Sequence, residues 1–326
     1  MKRPSPWITC GLFCALFTMG AGATAQAADY PSRAVRLIVP YAPGGSADIA
    51  ARLIGDEWAK QLGQPIVIEN RAGAGGNIGV DAVAKSAPDG YMIGLQTVSL
   101  AINPAIFPTM PFDTLKDLAP IGTVASSQHV LALNAKVEAQ SVKELMALAK
   151  DKPGELTYGS AGAGSTFHMS AELFKALADV DILHVPYRGG GPALVDTIAG
   201  QVDMSFPVLS AALPHIQAGS VRALGVTGPQ RSALLPDTPS IGEAGLPDYS
   251  FETWFMTFAP AGTPEPVLQK LNQALNAALE SEALRTRMTE QGFDPLPSSV
   301  AQAKERLESE MPAWSRLVQE RGIKIE

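Results

Sequence analysis

Short β-branched runs along the chain alternate with longer stretches in which apolar residues recur every three or four positions. The first pair is Val35-Arg36-Leu37-Ile38-Val39 followed by Asp48 to Leu62, where Ile49, Leu53, Trp58 and Leu62 share one side. The spacing predicts a strand and then an amphipathic helix. The alternation returns at Ile66 to Glu69, Ile78 to Lys85 and Met92 to Gln96, the rhythm of right-handed βαβ units building a mostly parallel sheet. Past Ile121 to Ala125 a second set begins. Strand-like Val130 to Leu133, Leu156 to Gly159, Leu183 to Pro186 and Val202 to Phe206 alternate with helical patterns, the first of them opened by the Ser141/Glu144 capping pair and the others at Ser165 to Leu177 and Pro192 to Ala199. After Phe251 to Ala259 the pattern is helical to the end, with Val267, Leu271, Ala274 and Ala278 on one face and Leu307, Trp314 and Leu317 on another. The expected fold class is therefore α/β in two lobes. The chain crosses between them near Thr123 to Ser127 and near Phe251 to Phe255, so residues 28–124 with 255–326 form lobe I and residues 125–254 form lobe II.

The start of the chain has its own pattern. Lys2 and Arg3 precede an apolar stretch from Trp7 to Met19 and a small-residue end at Ala25-Gln26-Ala27, the layout of a secretory signal peptide covering residues 1–27. Its removal takes two basic and no acidic residues, so that 23 Lys+Arg stand against 32 Asp+Glu and the net charge moves from -7 to -9. Cys10 and Cys14 both lie in that segment, so neither a disulfide nor a lipid anchor is expected of the exported protein. With 17% charged residues and no basic run, the footprint of a nucleic-acid binder is missing.

Enzyme and cofactor motifs are missing too. There is no Gly-x-Ser-x-Gly elbow, no Gly-Lys pair for a phosphate loop, and no metal-ligand spacing among His129, His168, His184 and His215. Neither a metal nor a nucleotide cofactor is expected. What the chain does carry is three glycine-rich turns, each placed after a strand and opening a helix: Pro40 to Asp48, Asn70 to Gly79 and Gly159 to Thr166. Such turns leave backbone N–H groups free at the positive end of a helix dipole, and glycine lets a ligand oxygen approach them. A carboxylate or another oxyanion is the natural guest. Tight chain reversal is the competing explanation of each turn taken singly; the first and third turns are the expected anion cradle and the second is read as structural.

Other residues point less sharply. Asp48 stands where a helix cap belongs. Asp203 follows a turn beside a strand and faces either the cleft or the hinge; a lone carboxylate there repels an anion unless an amino group or water intervenes. His168 lies one turn into a helix, where a cleft role and a structural one are equally open. Tyr187-Arg188-Gly189-Gly190-Gly191 adds a cation near a turn, and Trp254 reads as core.

The succession Val35 to Gly45, Glu69 to Gly76, Pro88-Asp89-Gly90-Tyr91, His184-Val185-Pro186-Tyr187, Gly200-Gln201-Val202-Asp203 and Ala259 to Pro264 resembles the Bug/TctC family of extracytoplasmic solute receptors, the binding proteins of tripartite tricarboxylate transporters. The resemblance runs from about Tyr30 to Lys324. It implies a periplasmic two-lobe binding protein of the type II, Venus-flytrap kind, a monomer that closes on a small carboxylate and presents the closed form to the transporter's membrane subunits. Carried over from relatives, the ligand-binding residues are Gly44, Gly45, Ser46, Ala47 and Asp48 in one lobe, Ser160, Gly162, Gly164, Ser165 and Thr166 in the other, and Asp203 as a further cleft residue. The chain departs from the family pattern at Met256, where many relatives have glycine, and at Ala135, where proline is common; Met256 either narrows the cleft or fills a gap beside the hinge. A sensory receptor reporting to a membrane kinase is the alternative within the same fold. An exported enzyme using Ser165, His168 and Asp203 as an acid-base set is the alternative from another class.

Overall fold

The apolar strand β1 (Val35–Val39) is paired on both sides, with β2 (Ile66–Asn70) and β3 (Met92–Thr97), in parallel register. The computed structural model describes residues 30–323. The architecture is that of the unit beginning at Pro31. The expected signal peptide lies outside the described residues.

Around β1 the chain winds α1 (Ser46–Leu62), α2 (Asn77–Ala84) and α3 (Ser99–Ile106), then runs out along β4 (Leu118–Gln128). A second sheet follows: β5 (Val130–Asn134), α4 (Val142–Asp151), β6 (Thr157–Ser160), α5 (Thr166–Ala178), β7 (Leu183–Pro186), α6 (Gly190–Ala199), β8 (Met204–Ser205), α7 (Leu209–Gln217) and β9 (Val221–Val226). The chain returns along β10 (Glu252–Pro260) and closes with α8 (Glu265–Glu280), α9 (Glu282–Glu290), β11 (Asp294–Pro295) and α10 (Val300–Arg321). The strand orders are β11-β4-β10-β3-β1-β2 and β7-β6-β8-β5-β9.

Both sheets are mixed rather than mostly parallel. β10 is antiparallel to β3 and to β4, and β5 is antiparallel to β8 and β9. The reason is connectivity: β4 leaves the first sheet and β10 re-enters it, so the two passages run in opposite senses. They pair side by side, with Glu252 opposite Gln128 and Pro260 opposite Leu118. The chain changes sheets at His129 on the way out and between Val226 and Glu252 on the way back.

Side-chain caps explain the starts of α4, α5 and α10. Ser141 caps α4 by accepting from the Glu144 N–H, while the Glu144 carboxylate reaches back to Gln140 rather than to the cap residue itself. Ser299 and Gln302 form a complete capping box at the start of α10. That helix is tied to the returning strand by a hydrogen bond from Trp254 Nε1 to Glu310 at 2.7 Å and by the Phe251–Trp314 ring contact. Met256 is fully buried on β10, with Gln96 and Thr123 as its strand neighbours, and fills the core.

Trp58 on α1 is completely buried and donates to the Leu271 carbonyl of α8 at 3.2 Å. Trp58→Ala is expected to destabilise the protein by about 3–5 kcal/mol, measured as a lowered urea midpoint with the far-UV spectrum of the native state unchanged.

Candidate functional site

The connections that leave the C-terminal ends of β1 and β6 lie one in each sheet, at the strand ends where open α/β sheets place their ligand loops. The loop after β1 ends at Gly45, which precedes α1 with extended backbone and offers no side-chain cap. Ser46, Ala47 and Asp48 are buried, at 7%, 2% and 4% exposure. Among the described residues no protein group accepts from their backbone N–H groups; the first helical bond runs from Ile49 to the Gly45 carbonyl. A buried helix start left without partners is uncommon in a folded protein. Gly44 has φ of 81°, a left-handed conformation that suits glycine.

Asp48 is fully occupied inside its own lobe. One carboxylate oxygen accepts from Gly44 N at 3.1 Å and Arg52 Nε at 3.0 Å, the other from Arg52 Nη2 at 2.9 Å and Asn70 Nδ2 at 3.0 Å. Burial works to raise its pKa, but the bonds from Arg52, Gly44 and Asn70 and the Arg52 charge outweigh burial and hold it below the usual carboxylate value. Asp48 therefore braces the loop and has no lone pair left for a guest.

In the other lobe, Gly162 and Gly164 have φ of 108° and 77°. Gly162 N donates to Ser160 Oγ at 3.0 Å and Gly164 N to His168 Nδ1 at 3.3 Å. Ser165 caps α5 by accepting from His168 N at 3.3 Å. Thr166 and Phe167, both buried, stand at the first turn of α5 with no protein acceptor for their N–H groups among the described residues.

Asp203 is not at this loop. Its carboxylate accepts from Thr157 N and Oγ1, both at 2.8 Å, at the N-terminal end of β6, whereas the loop leaves the C-terminal end. A cleft role for Asp203 is thus replaced by a sheet-end brace. The suggested acid-base set does not assemble either: Ser165 Oγ is engaged with His168 N, His168 Nδ1 with Gly164, and Asp203 with Thr157.

Two further loops complete the site, and both were undervalued in the sequence. The second glycine turn meets the third across the lobes: a β-carbon at Gly75 would strike the Ala163 carbonyl, and one at Gly164 would lie 2.5 Å from Asn103 Oδ1 and 2.7 Å from the Phe107 ring. Tyr187 to Gly191 meets the first turn. Ala42 N donates to the Arg188 carbonyl at 3.3 Å, and a β-carbon at Gly191 would lie 2.9 Å from the Pro43 carbonyl oxygen. Gly189 precedes α6 with no side-chain cap, and the N–H groups of Gly190 and Gly191 have no protein acceptor among the described residues. The signal was present in the text: Gly189-Gly190-Gly191 follows a strand and opens a helix, as the other three turns do.

The four loops form a ring. Tyr41 Oη donates to the Gly75 carbonyl at 3.3 Å within one lobe, and in the other the Phe167 ring packs under Gly190. Beside the contact between the first and fourth loops lies a groove of about 480 Å³, lined by Gly44, Tyr187, Pro192, Val195, Asp196 and His215 among others. In it Tyr187 donates to Asp196 at 2.7 Å; burial and this bond push the phenol up to about 12. Helices α1, α5 and α6 turn their positive ends toward the ring, with backbone donors rather than charged side chains in the lead.

The family model described as "Tripartite tricarboxylate transporter family receptor" matches residues 50–323. Protein BugT of Bordetella pertussis is 38% identical over 317 residues, covering 97% of each chain. The solved structure of Rpa4515 from R. palustris with adipate is 36% identical with a TM-score of 0.88, covering 91% of this chain and 99% of that one. MatC from Rhodopseudomonas palustris with bound malate is 34% identical with a TM-score of 0.85, covering 89% of this chain and all of that one, 100%.

The Asp48 brace makes a prediction. Asp48→Asn is expected to cost about 1–3 kcal/mol of stability at neutral pH. Because the folded-state pKa is lowered, the wild type holds this advantage above the unfolded value of about 3.9. The gap between wild type and variant then narrows as pH falls through the lower folded value, which chemical denaturation at several pH values will read.

Proposed function

Since this chain belongs to the tripartite tricarboxylate transporter receptor family, we propose that it captures a small organic carboxylate inside the four-loop ring and delivers it, in the closed form, to the membrane subunits of such a transporter. The observation that carries this reading is the set of N–H groups without a protein acceptor, among the described residues, at buried Ser46, Ala47, Asp48, Thr166, Phe167 and Gly190 and at half-buried Gly191. Oxyanions answer that need at helix N-termini, and the relatives with adipate and malate hold guests of this chemistry. The residues assigned to the guest are Gly44, Gly45, Ser46 and Ala47 from one lobe and Ser160, Gly162, Gly164, Ser165 and Thr166 from the other, with Gly190 and Gly191 added. Of these, Gly162 and Gly164 serve by shape, since their own N–H groups are spent within the loop. Asp48 contributes its backbone N–H alone.

Capture and release follow from linkage. A guest that touches one lobe gains half of the donors; only closure brings both sets to it, so binding shifts the population toward the closed form. No step changes the guest covalently. The lobe boundaries proposed are those at which the chain changes sheets, His129 and the segment between Val226 and Glu252. With residues 1–27 taken as a leader, the proposed location of the mature protein is the periplasm.

A thermal-shift screen of stripped, refolded protein against malate, adipate, tricarboxylates, aromatic acids and neutral amides tests the reading. A carboxylate at a hundred times its Kd should add about 2.7 kcal/mol and be recovered unchanged; a response to neutral amides alone would overturn it. Gly191→Ala isolates closure, because the added methyl meets Pro43 and Gly44 of the opposite lobe. Its expected result is an unchanged Tm without ligand and an affinity lower by about tenfold, about 1.4 kcal/mol.

A further inference from the structure

Under the loop that follows β6 lies a cluster, buried at Tyr158 and His168 and half-buried at His184, Glu172 and Lys175, that the binding mechanism has not used. Ser160 Oγ shares a hydrogen bond with His184 Nε2 at 2.6 Å. The His184 ring stacks on Tyr158, with centroids 4.8 Å apart and planes 15° off parallel, and lies 4.6 Å from the ring of His168. Tyr158 donates to Glu172 at 2.6 Å, and Glu172 also takes Lys175 at 2.8 Å. The Lys175 ammonium sits 5.6 Å over the Tyr158 ring.

The loop above needs such support. With Gly162 and Gly164 in left-handed conformations, its shape is one of many open to glycine. Three local bonds select it: Gly162 N to Ser160 Oγ, Gly164 N to His168 Nδ1 and Ser165 N to the Gly162 carbonyl. One of the three ends on an imidazole and another ends on a hydroxyl held by one. Because Gly164 is the donor, His168 Nδ1 must be bare and its proton must sit on Nε2.

We propose that His168 and His184 are positioning residues which, as neutral imidazoles, hold the Ser160–Ser165 loop in its guest-receiving shape, His168 by accepting from Gly164 and His184 by accepting from the Ser160 hydroxyl. The inference rests on the reading that this loop receives the carboxylate. By absorbing the Gly162 and Gly164 amides into the protein, the pair leaves the outward donors to Thr166 and Phe167. Burial lowers both histidines to about 4, Lys175 adding to the effect on His168 and the neighbouring His168 on His184, against an opposing pull from Glu172. Both rings are accordingly neutral where the receptor works.

The test has one arm without ligand and one with it. In the ligand-free wild type, nitrogen-15 spectra of the imidazoles should show the proton on Nε2 of His168 and on Nδ1 of His184; the opposite tautomer at His168 overturns the proposal. Amide exchange at Gly164 should stay slow in His168→Asn, whose Oδ1 replaces Nδ1, and quicken in His168→Gln and His168→Leu. His184→Gln, whose end reaches the Nε2 position, should keep Gly162 protected where His184→Asn and His184→Leu do not. Calorimetry with adipate and with malate should follow the same crossed pattern, the unprotected variants losing about tenfold in affinity, about 1.4 kcal/mol. Equal protection and affinity in the two Leu variants would overturn the positioning role. If the wild type bound neither acid while the tautomers and exchange pattern held, the carboxylate reading alone would fail.

Discussion

A buried backbone N–H without an acceptor costs about 1–3 kcal/mol, and this chain gathers several of them where its two lobes meet. The first turns of α1, α5 and α6 each bring such groups to the ring of loops. Closure without a guest therefore seals donors away from water with nothing to receive them. In the proposed reading, closure around an anion satisfies them together. The preference of the molecule for one form or the other is thus conditional on its ligand.

Much of the surrounding structure keeps charge out of that site. Asp48 is taken up by Arg52, Asn70 and Gly44, Asp203 by Thr157, and Glu172 by Tyr158 and Lys175. Asp48 and Asp203, the carboxylates that the linear text offers to a ligand, turn out to fasten a loop and a strand end. Helix N-termini attract oxyanions through backbone dipoles, and the proposed site relies on these. The glycines have the matching role: at Gly75, Gly189 and Gly191 the absence of a β-carbon lets opposite loops come into contact.

The path of the chain between lobes explains the mixed sheets. β4 and β10 lie side by side along most of their length, so the two passages form one stiff ribbon that ends at His129. α10 is fixed to the same ribbon through Trp254 and Phe251.

Periodicity located β1, α1, β2, α2 and β3 and the long α8 and α10, and a capping pair the start of α4, because each is a local pattern of apolar positions or a local start signal. The loops after β1 and β6 were legible for the same reason, a strand followed by glycines and a helix. The weak or apolar-all-round segments α3, α7 and β9 were not, since Leu100 to Ile106 and Leu209 to Leu213 carry no amphipathic stripe. Nor could the text assign partners. That Asp48 faces inward to Arg52 and Asn70, that Asp203 meets Thr157, that Gly75 meets Ala163 and Gly191 meets Pro43, and that the rings of His168 and His184 lie side by side are pairings between residues distant in the chain, or choices between two faces of one turn. Sequence by itself determined that helix starts with free backbone donors exist; only the packing of one lobe on the other decided which of them remain without an acceptor, because that depends on what tertiary contact brings within hydrogen-bonding reach.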